Sequence, residues 1–155
     1  MATTVQAANL TVTITESVSL GNRAWGNEHI TTFNNQGEVD QRIMSIEMVE
    51  LGTYTDIFSF STADGMGIGV TNNYAYFRIT NLDDTNFITL QVTSGDTYWI
   101  KVKPGESFML MDNEMDAIAS SVVAGALADV TKVSALADTA DVDIEYIIVT
   151  TGAAV

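Results

Sequence analysis

The residues that could do chemistry are few, and each lacks the neighbours its chemistry needs. His29 is the only histidine, with Glu28 beside it. A base or metal ligand at that position needs a nucleophile context such as G-x-S-x-G or a second ligand, and the sequence supplies neither. Asp112, Glu114 and Asp116 alternate like the first oxygen ligands of a calcium loop. Ala117 then stands where a glycine should turn the chain, and Val123 where a bidentate glutamate should close it. A solvated acidic turn is the expectation. Gly65, Gly67 and Gly69 resemble a phosphate loop only in composition, because no lysine follows and the spacing is not G-x-G-x-x-G. Asp83 and Asp84 read as turn residues that bond their own backbone. The residues predict no catalytic group, no cofactor and no metal, and so not an enzyme.

Contact chemistry is better represented. Trp99, Lys101 and Lys103 alternate with Tyr98, Ile100 and Val102. If the second set faces inward, an indole and two ammonium groups face outward. Tryptophan is enriched at binding hot spots. Arg78 lies outward on its own strand by the same alternation, and a shared sheet would make these cations a positive patch. Trp25 sits inside GNRAWGN, read as a turn. The candidate interface residues are therefore Arg78, Trp99, Lys101, Lys103 and Trp25.

The elements that must position these residues are strands. Asn9–Ser19 alternates Leu10, Val12 and Ile14 with threonines. A short strand spans His29–Phe33, and NNQGEVD over Asn34–Asp40 reads as a turn. Gln41–Leu51 and Tyr54–Ser61 follow, then the glycine-rich loop. Tyr74–Asp112 contains four alternating runs and reads as a β-meander. Its expected core is Phe77, Ile79, Ile88, Leu90, Val92, Ile100, Val102, Phe108 and Leu110. Lys103-Pro104-Gly105-Glu106 fits a type II turn. A strand starting near Val130 and a terminal strand over Thr139–Thr151 complete the set. The pattern predicts an all-β fold, a β-sandwich or jelly roll of about nine or ten short antiparallel strands. One short helix has room near residues 115–127. The expected organisation is a flexible N-terminal arm over residues 1–9 and a single sandwich domain over residues 10–155.

Composition bounds the partners. Among 155 residues, 20 Asp and Glu face 6 Lys and Arg, for a net charge of −14. Phosphate binding needs clustered cations, so nucleic acid is not an expected partner. No run approaches the ~20 apolar residues of a membrane helix. Met1 opens no secretory pattern, and a membrane partner is not expected. The chain has no cysteine. Hydrophobic residues make up 46% and charged ones 17%, which argues against disorder.

Three blocks carry a resemblance. They are LTVTITESVSLGNRAWGNEHITTF with VDQRIMSIEM, YAYFRITNLDDTNFITLQV with YWIKVKPGESFMLMD, and VSALADTADVDIEYIIV. Together they cover over half of the chain and resemble the head decoration, or cement, proteins of tailed bacteriophages. The resemblance implies a jelly-roll or β-tulip module that binds the major capsid protein as a homotrimer on the outer capsid surface of the virion, after synthesis in the host cytoplasm. It names no catalytic residues. The N-terminus departs from the pattern in being neither long, basic nor proline-rich, which leaves Met1–Asn9 as the candidate capsid-contacting arm. The alternative reading is a phage tail or baseplate module that binds carbohydrate, with Trp25, Tyr54, Tyr74 and Tyr76 as its aromatic groove.

Overall fold

A computed structural model describes residues 8–48, 53–60, 74–112, 114–115 and 127–150. These residues form fourteen strands and no helix. The helix expected near residues 115–127 falls almost wholly outside the described residues; Met115 itself is strand.

The first four strands make a ribbon: β1 (Ala8–Thr15), β2 (Val18–Leu20), β3 (Arg23–Trp25) and β4 (Glu28–Gln36). β1 pairs β4 and β2 pairs β3, both antiparallel, and after a shift between Ala8 and Leu10 the two pairs share one register. Thr15 faces Glu28, the Glu16 N–H donates to the Asn27 carbonyl at 2.9 Å, and Val18 faces Trp25. The expected turn at GNRAWGN is therefore mostly strand. The chain reverses at Gly21-Asn22, where Gly21 has φ 61°, as tight two-residue hairpin loops require. Ala8 and Asn9, expected in a flexible arm, belong to β1; residues 1–7 lie outside the described residues.

Gly37 alone separates β4 from β5 (Glu38–Ile46). Its N–H donates to the Thr150 carbonyl at 2.9 Å, so NNQGEVD is a joint between ribbon and sheet rather than a loop. The remaining long strands are β6 (Thr55–Ser59), β7 (Tyr74–Asn81), β8 (Ile88–Thr93), β9 (Thr97–Val102), β10 (Ser107–Leu110), β13 (Lys132–Ala137) and β14 (Val142–Thr150). Between them β11 (Glu114–Met115) pairs β12 (Ala128–Asp129).

Eight strands build two four-stranded sheets, ordered β10-β7-β14-β5 and β6-β13-β8-β9. The pairing is nested. β13 and β14 lie between β5-β6 on one side and β7-β8 on the other, and β9-β10 close against β8 and β7. That wrapping, with successive strands crossing between two sheets, is a jelly roll. The expected meander is not one: β8 and β9 form a hairpin in one sheet, while β7 and β10 pair in the other.

The core lies between the sheets. Phe77, Ile79, Ile144 and Ile148 meet Ile88, Leu90, Val92 and Val133, all at most 1% exposed. Phe58 and Phe77 touch edge to face across the gap, with centroids 4.9 Å apart. Every expected core residue of the central stretch packs in this cluster, with Ile100, Phe108 and Leu110 at its margin. A second, smaller cluster lies on the outer face of the first sheet. There Leu10, Val12, Ile14 and Phe33 of the ribbon cover Tyr76, Val149 and Ile147.

Candidate functional site

Among the described residues, chemistry-bearing side chains do not converge. Strand alternation sends Glu28 and His29 to opposite faces of the exposed ribbon. The Asp112 carboxylate accepts the Glu114 N–H at 3.1 Å, a local turn contact. Asp116 and Gly65–Gly69 lie outside the described residues. Among the described residues no three metal-ligating side chains cluster.

The loops joining β7 to β8 and β9 to β10 meet at Asn81, which is fully buried. Its side-chain amide donates to the carbonyls of Asn86 at 2.9 Å and Val102 at 3.2 Å, and its oxygen accepts the Asp83 N–H at 2.9 Å. Its backbone N–H donates to Glu106, and its carbonyl accepts Gly105. Gly105 stands at φ 70° in the expected Pro-Gly turn, closed by Glu106 N–H to the Lys103 carbonyl at 3.0 Å. Asp83 in turn accepts the N–H groups of Asn86 and Thr85, which holds its carboxyl below the usual range. The Asp-rich stretch is thus a self-bonded turn.

The candidate interface residues separate onto three surfaces. Trp99 and Lys101 stand on the outer face of the second sheet, where Trp99 is 59% exposed. The Lys101 ammonium sits 3.5 Å from the centre of the Phe87 ring. Lys103 lies just past β9 and pairs with Glu106 at 3.5 Å. Arg78 belongs to the other sheet. It contacts Thr80 and reaches Glu145 at 3.1 Å on the neighbouring strand. Hydrogen bonds from Gln41 and Arg78 lower the Glu145 pKa. The expected shared positive patch therefore does not form, because alternation reports which face a residue takes and not which sheet.

Trp25 is on the ribbon tip, opposite Val18, with Leu20 opposite Arg23. Directly opposed and i, i+2 residues share a face. Val18, Leu20, Arg23 and Trp25 therefore form one side of the tip, and Ser19 and Ala24 the other. Val18 is 57%, Leu20 72% and Trp25 50% exposed. Arg23 has neither an ion pair nor an aromatic partner among the described residues. The sequence signal for this surface was present in the spacing of Val18, Leu20 and Trp25, but the glycines flanking RAW made the stretch look like a loop.

Among the described residues, the aromatic side chains of the alternative reading do not line one groove. Tyr76 is 4% exposed beneath the ribbon, its ring 6.3 Å from that of Phe33. Tyr54 is half-buried ahead of β6, and the Tyr74 side chain lies outside the described residues. In comparisons with known proteins, no family model, no curated protein and no solved structure matches this chain.

Proposed function

We propose that this chain is a structural protein of a tailed-bacteriophage virion, a decoration or cement protein that binds the major capsid protein on the outer surface and stabilises the shell. One observation carries the reading: a single jelly roll presents two separate exposed indoles. Trp25 stands on a ribbon rooted on the outer face of the first sheet, and Trp99 on the outer face of the second. A protein that ties a shell together must hold partners on more than one side at once, whether capsid subunits or further copies of itself, and two anchors on opposite faces of the sandwich meet that need. Both are of the residue type that dominates binding energy at interfaces.

The mechanism is thermodynamic. A protein that binds only the assembled shell stabilises it by mass action. Several modest contacts on one scaffold combine through effective concentration into firm attachment. The net charge of −14 keeps decorated particles apart in solution. In this reading the assembly is a homotrimer.

The test is location. Antibody raised against the purified chain, applied to particles of the phage that encodes it and imaged, labels the head. Label confined to the tail favours the carbohydrate-binding alternative, and unlabelled particles contradict both.

A further inference from the structure

The exposed ribbon tip has a counterpart on the same chain. The outer face of β5 carries Val39, Gln41, Ile43 and Ser45. Val39 is 56% and Ile43 70% exposed. Across the register Val39 lies opposite Val149, Ile43 opposite Glu145 and Ser45 opposite Asp143. Val149, at 1% exposure, is already covered by the ribbon root. Two exposed apolar side chains, Val39 and Ile43, thus extend onto β5 the surface that seats Leu10, Val12 and Ile14, with Gln41 between them bonded to Glu145 at 2.7 Å. Asp143 is exposed beside it and has no ion pair among the described residues.

We infer that the ribbon tip of one copy seats on the β5–β14 outer face of a second copy of this chain. Leu20 meets Ile43, Trp25 reaches towards Val39, and Arg23 meets Asp143. Three features select this occupant. The receptor continues a surface that already accepts a β-ribbon of this composition. The charges complement, an unpaired guanidinium meeting an unpaired carboxylate. The spans also agree: Val39 and Ile43 lie roughly 13 Å apart along the strand, and Leu20 and the far edge of the Trp25 indole, diagonally across the ribbon, cover a similar length. A two-stranded ribbon alone in water is marginal, and docking gives this one a third layer along its whole length.

The contact joins two different patches, so it propagates head to tail and makes a ring where the rotation between copies closes. A ring built this way leaves Trp99 on the opposite face free for the capsid. The inference rests on the proposed function for that division of labour only. The self-contact is measured with no capsid present, so the two fail separately.

Because the chain has no cysteine, single thiols report the contact. Leu20→Cys and Ile43→Cys are made as separate full-length proteins, one tagged, then mixed and mildly oxidised. The mixed disulfide should form at least about tenfold faster than in a mixture of Ser19→Cys, on the other face of the tip, with Ile43→Cys. Equal rates overturn the inference, as does Leu20→Cys linking to itself faster than to Ile43→Cys, which would mean tip-to-tip contact. In parallel, light scattering of the untagged protein should give a multiple of the chain mass. Arg23→Glu should return it to one chain, and adding Asp143→Lys should restore the assembly. A single-chain mass at every concentration, or an Arg23→Glu loss that Asp143→Lys does not reverse, contradicts it.

Discussion

Val18 and Trp25 face each other across the ribbon with at least half of each side chain in water, although both are residues that favour burial. Neither supports the sandwich. Trp25→Ala should therefore leave the free energy of unfolding of the dissociated chain within about 0.5 kcal/mol of wild type. Self-association should weaken at least about tenfold, as for a hot-spot tryptophan. Calorimetry in the dilute limit and sedimentation at higher concentration read the two effects separately.

Trp99→Ala should behave differently. Its loss should leave the oligomer intact and weaken binding to capsids by about 2 kcal/mol, the threshold of a hot spot. Co-sedimentation with capsids, set beside light scattering of the free protein, distinguishes this from a general folding defect. Unchanged capsid binding would assign Trp99 no part in the contact.

Gly26 holds the ribbon through its bend. It stands at φ 142°, and a Cβ there would overlap the Glu16 backbone carbonyl. Gly26→Ala must move backbone at Glu16 and Ser17, where the ribbon tip begins. Amides of Val18–Leu20 and Arg23–Trp25 should exchange with solvent faster, while the sandwich amides keep their protection. Hydrogen exchange resolved by residue checks this.

Asn81 ties two loops through three side-chain hydrogen bonds in a fully buried site. Asn81→Ala leaves the Val102 carbonyl without its amide partner and should cost about 3 kcal/mol. For a chain of this size that lowers the unfolding midpoint by roughly 10 °C.

The pH dependence follows from Asp83 and Glu145, both lowered in the folded state by hydrogen bonds to their charged forms. The unfolded chain binds protons at these sites first. Their stabilisation is therefore present above the ordinary carboxylate range and is lost as pH falls through the folded values. The difference in unfolding midpoint between wild type and Asp83→Ala should be largest near neutrality and shrink below about pH 4. Using the difference removes the opposing relief of self-repulsion as the other carboxylates neutralise. A difference that does not vary with pH would mean the Asp83 charge contributes nothing.

Much of the fold was legible in alternation. Ile88, Leu90 and Val92, or Val142, Ile144, Tyr146 and Ile148, announce their buried face in any β architecture. Pairing was not legible, because β7 beside β8 in sequence carries the same pattern whether the two share a sheet or face each other across a core. That non-local choice turned an expected meander into a nested jelly roll. Arg78 shows the consequence for the site: its outward face was read correctly, but its sheet, and hence its partner Glu145, was not. Gly26 and Gly37 misled in another way. Glycine marks positions of unusual backbone, and at Gly26 and Gly37 that backbone is a bend and a joint rather than a reversal. Strand therefore continues where turns were expected, and Trp25, a candidate interface residue, stands on a strand face with Val18 and Leu20 rather than in a turn.

The most direct measurement is the heat stability of capsids stripped of this protein, with and without the purified chain added back. The account predicts that the chain co-sediments with the shells and raises the temperature at which they release DNA. Trp99→Ala should do so less well at equal concentration. Shells that neither bind the chain nor change their release temperature in its presence would contradict it.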